Sequence, residues 1–172
     1  MNRRTFTGGL AATTALLSIP LTSCAGDKKT ASSSFPLQKT EDEWRKLLRP
    51  DQFAVLRKEG TEPPHSSPLN NIEASGTFVC AGCFLPLFHT ANKYDSGTGW
   101  PSFWRPLEET SIATRKDYKL ILPRTEYHCS RCGGHQGHIF DDGPKPTGLR
   151  YCNNGLALKF VAEQESLPEL LM

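Results

Sequence analysis

The stretch Cys129-Ser130-Arg131-Cys132-Gly133-Gly134-His135-Gln136-Gly137-His138 decides how the chain folds, because it joins a Cys-x-x-Cys pair, turn-forming glycines and two histidines without a gap. Upstream, Cys80-Ala81-Gly82-Cys83 repeats the same spacing. Two such pairs can close around one tetrahedral zinc as a thiolate cage. Gly133 and Gly134 let the backbone turn tightly after Cys132 and aim amides at sulfur, as a zinc knuckle requires. Three other uses of these cysteines are open. In an exported protein both pairs can oxidise to disulfides. Either pair can be a redox dithiol, although such dithiols begin helices and neither pair precedes a helical pattern. Cys129, Cys132, His135 and His138 can also bind zinc from one segment, which strands Cys80 and Cys83. A four-thiolate structural zinc at Cys80, Cys83, Cys129 and Cys132, one per chain, is the preferred reading.

Cys152 stands apart from both pairs, downstream of the two histidines. A solitary thiol is a candidate nucleophile, although an isolated buried cysteine usually serves only as a small apolar side chain. If the chain runs extended from Arg150 to Phe160, then Arg150, Cys152, Asn154, Leu156, Leu158 and Phe160 share one face. Cys152 and Asn154 then lie at the near end of a buried face, with Arg150 at its lip lowering the thiol pKa. Gly97-Thr98-Gly99-Trp100-Pro101-Ser102-Phe103 adds glycines for close backbone approach, and Trp100 and Phe103 to wall an apolar pocket.

At 172 residues the chain is long enough for one domain. Residues 1–23 read as a secretory signal: Arg3-Arg4 with Phe6 close behind resembles a twin-arginine export signal, and Leu21-Thr22-Ser23-Cys24 resembles a lipobox whose cysteine is lipidated. Residues 24–36 form a small, polar tether and residues 37–172 the domain. The expected location is therefore extracytoplasmic, on the periplasmic side, anchored to a bacterial membrane through Cys24. Without the signal segment, which carries Arg3 and Arg4 and no acid, the 20 basic and 18 acidic residues become balanced. That excludes nucleic-acid binding through a concentrated basic face.

Thr40-Glu41-Asp42-Glu43 is a capping box, followed by Trp44, Leu47 and Leu48 at helical spacing. Pro50 interrupts that helix, and a second runs from Asp51 to Lys58, burying Phe53 and Leu56 and ending at Gly60. Beyond it, short apolar runs between turn residues predict antiparallel strands at Thr77–Cys80, Leu85–Phe88, Tyr118–Leu122, Thr125–Cys129, His138–Phe140 and Leu156–Val161.

Cys80-Ala81-Gly82-Cys83, Asp95-Ser96-Gly97-Thr98-Gly99-Trp100-Pro101-Ser102-Phe103, the segment from Cys129 to Cys132, the segment from His135 to Pro144, and Gly148-Leu149-Arg150-Tyr151-Cys152-Asn153-Asn154 together resemble a methionine-R-sulfoxide reductase. Gly60-Thr61-Glu62-Pro63-Pro64 resembles the segment that enters such a domain. The resemblance spans about Glu41 to Phe160. It implies a mainly β fold of two antiparallel sheets, in a sandwich or tent-like arrangement, with short N-terminal helices and a four-cysteine zinc site. It implies Cys152 as nucleophile, with His135, His138, Asn154 and Trp100 lining the site. Phe103, from the pocket wall, and Arg150, from the lip, are further candidates for holding substrate. Histidine titrates near neutrality, which suits His138 and His135 to protonating the sulfoxide oxygen. Oxidised peptides and proteins are the implied substrates, a monomer is expected, and a thioredoxin-like protein or small thiol is the expected reductant. Two positions depart from the pattern: Thr98 stands where many members carry a resolving cysteine, and Gly155 where serine is common. Two rival readings are a zinc-scaffolded binding module with an inert Cys152, and a thiol–disulfide oxidoreductase using a Cys-x-x-Cys pair without zinc.

Overall fold

The computed structural model describes residues 35–172 except Ile121. The expected signal segment, the lipobox cysteine and the tether up to residue 34 lie outside the described residues. The chain is already packed where description begins: the Phe35 ring meets His128 edge-on at 5.1 Å, and the Leu37 amide donates to the Arg131 carbonyl at 2.9 Å.

Helix α1 spans Glu41–Leu47 and α2 spans Pro50–Lys58. The capping box forms as the sequence predicts, with Thr40 Oγ1 accepting from the Glu43 amide at 3.3 Å and the Glu43 carboxylate returning to the Thr40 amide at 2.7 Å. Pro50 does more than interrupt α1. It opens α2, where its missing N–H would have no partner anyway and its fixed φ suits the first turn. The second helix ends on Glu59, in the left-handed region at φ 56°, one residue before the expected Gly60. Trp44 and Leu48 of the first helical segment, and Phe53, Val55 and Leu56 of α2, are buried, while Leu47 is half exposed. Each of these buried side chains contributes about 1.5–3 kcal/mol. The pairs of Glu41 with Arg45 and Lys58 are solvent-exposed and screened, so they add little. Packing on the sheets, not surface charge, therefore holds the helices.

Nine strands follow among the described residues: β1 Gly76–Cys80, β2 Pro86–His89, β3 Lys93–Tyr94, β4 Ser102–Phe103, β5 Ile112–Asp117, β6 Arg124–Cys129, β7 His135–Phe140, β8 Arg150–Asn153 and β9 Leu158–Ala162. They make two antiparallel sheets, of order β2-β1-β9 and β3-β4-β8-β7-β6-β5. Two expectations are corrected. The described residues of the expected Tyr118–Leu122 strand are not in a strand: they lie in the connection between β5 and β6, with Tyr118, Leu120 and Leu122 exposed. Nor does one extended segment run from Arg150 to Phe160. A 3-10 turn at Gly155–Ala157 carries the chain from the six-stranded sheet to the three-stranded one, so the parity of Cys152 does not continue to Leu158.

The two sheets meet through aromatic rings. Phe103 stacks on Phe88 at 4.2 Å, Phe78 meets Phe103 edge-on at 5.1 Å, and Phe88 meets Tyr127 edge-on at 6.1 Å. On the other face of the larger sheet, the register aligns Tyr94, Ser102, Cys152, His138, Glu126 and Arg115 in one cross-strand row. A bulge at Gln136, between the pairs Tyr127–Gly137 and His128–His135, brings His135 onto that same face.

Gly137 lies opposite Asn153 in the β7–β8 ladder, and a Cβ there would overlap the Cys152 carbonyl oxygen. Gly137→Ala should therefore push β8 from β7 and cost about 1–3 kcal/mol, read as a lowered Tm in thermal unfolding. An unchanged Tm would contradict this account of the ladder.

Candidate active site and metal centre

Cys80 closes β1 and Cys83 sits in the turn to β2, while Cys129 closes β6 and Cys132 sits in the turn to β7. All four side chains are buried, and their Sγ atoms lie within 4.8 Å of one another. Cys83 and Cys129 are 3.5 Å apart, and Cys80 and Cys132 are 3.7 Å apart. A tetrahedral zinc bound by four sulfurs at about 2.3 Å needs those sulfurs roughly 3.8 Å apart, so the donor set and spacing fit such an ion. The neighbouring sulfurs, led by Cys129, and then burial push the Cys80 thiol well up. A divalent cation would relieve that crowding by displacing protons.

Cys152 is half-buried on β8, beside a cavity of about 120 Å³ that Trp100, Arg124, His138, Phe140 and Asn154 help to line. A larger polar cleft of about 600 Å³, around His65, Lys93 and Tyr94, shares Trp100 as a border and carries no cysteine. Burial pushes the Cys152 thiol up. Arg150 and the Thr98 hydroxyl act in the opposite direction without overcoming it. The expected net lowering by Arg150 is thus corrected. Its guanidinium is bound bidentately by Asp142, at 2.8 and 2.9 Å, and lies 4.2 Å over the Phe140 ring.

His138 sits directly across the ladder from Cys152. Its Nε2 lies 2.8 Å from Asp117 Oδ2, and Asp117 also accepts from the Lys119 amide at 2.9 Å and Arg124 at 2.6 Å. The Lys119 amide first, then His138 and Arg124, hold the Asp117 carboxyl well below the usual range. As an ionised carboxylate only accepts, Nε2 carries the proton and Nδ1 is the nitrogen left to take another. Burial pushes His138 itself down, partly countered by Asp117.

His135 does not line the Cys152 cavity. Its ring, 3 % exposed, packs edge-on against His138 at 5.6 Å, and Nδ1 donates to Glu126 Oε1 at 2.6 Å. Burial opposes ionisation of Glu126, yet His135 and Arg115 together hold its carboxyl down at about 2. Phe103 is corrected as well: it is fully buried on the core face, stacked on Phe88, because strand alternation points it away from Cys152. Asn154 borders the cavity, but both ends of its amide are engaged, Oδ1 by the Glu62 amide and Nδ2 by the Gln136 carbonyl, each at 3.0 Å.

Glu62 belongs to the entry segment read from the sequence, but its role comes from the structure. Its carbonyl accepts the Trp100 indole N–H at 3.0 Å, and its buried carboxylate takes the amides of Gly155 and Leu156. Burial raises this carboxyl, and those two amides partly compensate. One residue thus fixes Trp100, Asn154 and the turn that follows Cys152. A Cβ at Gly155 would overlap the Ser67 side chain, so the packing of this chain at that turn is fitted to glycine. Asp117, Arg124 and Asp142 were missed. Alternation of Arg124, Glu126 and His128 against buried Tyr127 in one short strand was the readable signal of a charged face.

Residues 48–162 match the SelR domain family. Over 130 residues the chain is 45% identical to a peptide methionine sulfoxide reductase MsrB from Leptospira interrogans, covering 76% of this chain and 99% of that protein. A protein of the same name from Bradyrhizobium diazoefficiens is 47% identical over 133 residues, with 77% and 96% covered. Another from Acinetobacter baylyi is 44% identical over 130 residues, with 76% and 94% covered. A thiol across the ladder from a carboxylate-held histidine, on a two-sheet scaffold with a four-cysteine corner, stands in a chain whose relatives are oxidoreductases. The chain belongs to the methionine-R-sulfoxide reductase family.

Alkylation of Cys152 requires the thiolate, so its rate should rise with pH and inflect above the ordinary thiol value. Arg150→Met removes the cation and leaves Asp142 unpaired. Both changes disfavour the thiolate, so the curve should move to still higher pH. A curve moving down would remove Arg150 from the electrostatics of the sulfur.

Proposed function

We propose that the protein reduces methionine-R-sulfoxide in peptides and proteins, with Cys152 as the nucleophile. The observation that carries this reading is the cross-strand pairing of Cys152 with His138 at a cavity bordered by Trp100. The Cys152 sulfur attacks the sulfoxide sulfur and the S–O bond breaks. Oxygen ends on Cys152 as a sulfenic acid, methionine is released, and the thiol proton balances the exchange. His138 moves that proton, since Nδ1 takes it while Asp117 holds Nε2–H. Trp100, anchored by Glu62, offers an apolar wall to the substrate methyl group.

The other described cysteines all lie in the buried four-sulfur corner, and Thr98 offers no thiol. Regeneration therefore falls to an external thiol. One thiol condenses with the sulfenic acid and releases water, and a second resolves the mixed disulfide. A thioredoxin-like dithiol or two small thiols supply these equivalents. The corner would hold one structural zinc, ligated by Cys80, Cys83, Cys129 and Cys132, which would pin the two sheets together and take no part in the exchange. Residues 1–23 direct export, and acylation of Cys24 ties the domain, as a monomer, to the periplasmic side of a bacterial membrane. No helix among the described residues is long and apolar enough to cross one.

With separated sulfoxide epimers of a peptide, only the R form should be consumed, and Cys152→Ser should abolish turnover because a hydroxyl is a far weaker nucleophile. Without reductant, wild type should release one methionine per chain and gain a single oxygen at Cys152. Turnover by Cys152→Ser would place the nucleophile elsewhere.

Protein isolated from a bacterial membrane fraction should carry about one zinc, and its mass should include acyl chains on Cys24. Stoichiometric disulfides among Cys80, Cys83, Cys129 and Cys132 would defeat the metal reading. An unacylated chain in the soluble periplasm would defeat the anchor.

A further inference from the structure

Three large apolar side chains stand in water in the connection between β5 and β6. Tyr118, Leu120 and Leu122 are 72%, 58% and 76% exposed. The charged residue among them, Lys119, is tied down instead: its ammonium pairs with Glu59 just past α2, and its amide donates to Asp117 Oδ1 at 2.9 Å. Elsewhere among the described residues, exposed large apolar side chains stand singly, at Leu47 and Leu107, or lie near the C-terminus, at Leu167, Leu170 and Met172. Single ones are ordinary on any surface, whereas three within five residues make a patch.

Both ends of this connection are built into the wall of the Cys152 cavity. Asp117 and Arg124 are partners in the β5–β6 ladder and close the hairpin. Asp117 Oδ2 lies 2.8 Å from His138 Nε2 and accepts from Arg124 Nη2 at 2.6 Å. Arg124 lines the cavity together with His138, Phe140 and Cys152. The apolar patch therefore rises from the edge of the cavity that carries His138.

The cavity measures about 120 Å³. That is the space of about four water molecules, room for a side chain but none for the main chain that carries it. The neighbours of an oxidised methionine in a polypeptide must then lie outside, across the rim. Methionine is among the residue types most often buried, and its oxidation disrupts the core around it. A chain that can deliver a methionine sulfoxide to Cys152 thus presents apolar neighbours with it.

We infer that Tyr118, Leu120 and Leu122 form a docking rim for the apolar side chains that flank an oxidised methionine in a loosened or unfolded polypeptide. The inference deepens the reductase reading and rests on it. Contacts remote from the reacting sulfur are the same in the ground state and the transition state, so the rim lowers KM and leaves kcat unchanged. Asp117 and His138 are held by the Lys119 amide, by Arg124 and by each other. Exchanging the three outward side chains leaves that pair in place.

Steady-state kinetics of the full chain on three R-sulfoxide substrates tests the rim. One is N-acetyl-methionine sulfoxide methylamide, which has no flanks, and two are short peptides that set the sulfoxide between leucines or between serines. In wild type the leucine peptide should have a KM about tenfold below that of the serine peptide, at equal kcat. The triple variant Tyr118→Ser, Leu120→Ser, Leu122→Ser should raise the leucine-peptide KM to the serine-peptide value and leave the flankless substrate unchanged. Leu122→Ser alone should move the leucine-peptide KM the same way by about threefold.

Equal KM for the two peptides in wild type would overturn the inference, and so would a Leu122→Ser effect shared by all three substrates. Lipid and a second copy of the chain are the competing apolar partners. Binding of the unacylated Cys24→Ser chain to phosphatidylglycerol vesicles, or its dimerisation in sedimentation, lost in the triple variant while peptide KM stays fixed, would assign the patch to them instead. Wild type that consumes none of the substrates would sink the reductase reading, whereas turnover of all three without regard to flank would sink the rim alone.

Discussion

Four sulfurs crowded to contact distance join the two sheets at one corner, and the geometry of the site depends on that join. Cys80 and Cys83 hold the β1–β2 turn of the smaller sheet, and Cys129 and Cys132 hold the β6–β7 turn of the larger one. Strand β7 begins three residues after Cys132, so the position of His138 along the ladder is set by where that turn is fixed. Leu56 of α2 lies close to both Gly82 and Gly134, which packs the second helix against the same corner. Without a cation, four buried thiols in mutual contact have too few acceptors for their protons and too little solvent for their charges. With one, the corner becomes a rigid origin from which both sheets are measured.

From that origin the larger sheet separates its work by face. The aromatic side, with Phe103, Tyr127 and Tyr151, carries the burial energy. The other side carries two histidines, each held by a carboxylate that an arginine also grips: His138 by Asp117 with Arg124, and His135 by Glu126 with Arg115. Partly buried charges of this kind are costly alone, and pairing offsets the cost only when every lone pair is used. Asp117 meets that condition with three donors, which keeps it ionised and fixes the His138 tautomer. His135 packs edge-on against His138 and does not reach the cavity.

Helices and most strands were legible in the sequence because local rules govern them: a capping box at Thr40, a proline at the first turn of α2, alternation around Tyr127. The Cys-x-x-Cys spacing disclosed the four-cysteine corner for the same reason. What the sequence hid were contacts between distant segments. Extrapolated parity failed at Gly155, where backbone amides turn inward to the Glu62 carboxylate more than ninety residues earlier. Phe103 read as a pocket wall beside Trp100 because proximity in sequence does not reveal which face of a two-residue strand a ring occupies. Arg150 read as a bare cation because its partner Asp142 enters from a separate loop.

The electrostatic directions bear on how the proposed reaction runs. A preformed thiolate–imidazolium pair would need the Cys152 pKa lowered and that of His138 raised. The protein does the reverse, since burial pushes the thiol up and the histidine down. At rest the favoured partners are thus a neutral thiol and a neutral imidazole facing each other across one rung of the ladder. Thiol plus sulfoxide gives sulfenic acid plus thioether with no net gain or loss of protons. The proton leaving sulfur is therefore the one the sulfoxide oxygen needs. A neutral His138, its Nε2 held by Asp117, can accept that proton at Nδ1 as the sulfur attacks and return it to oxygen as the S–O bond breaks. Arg150 would then act on a fleeting thiolate instead of a standing one, since desolvation disfavours a charged sulfur at rest.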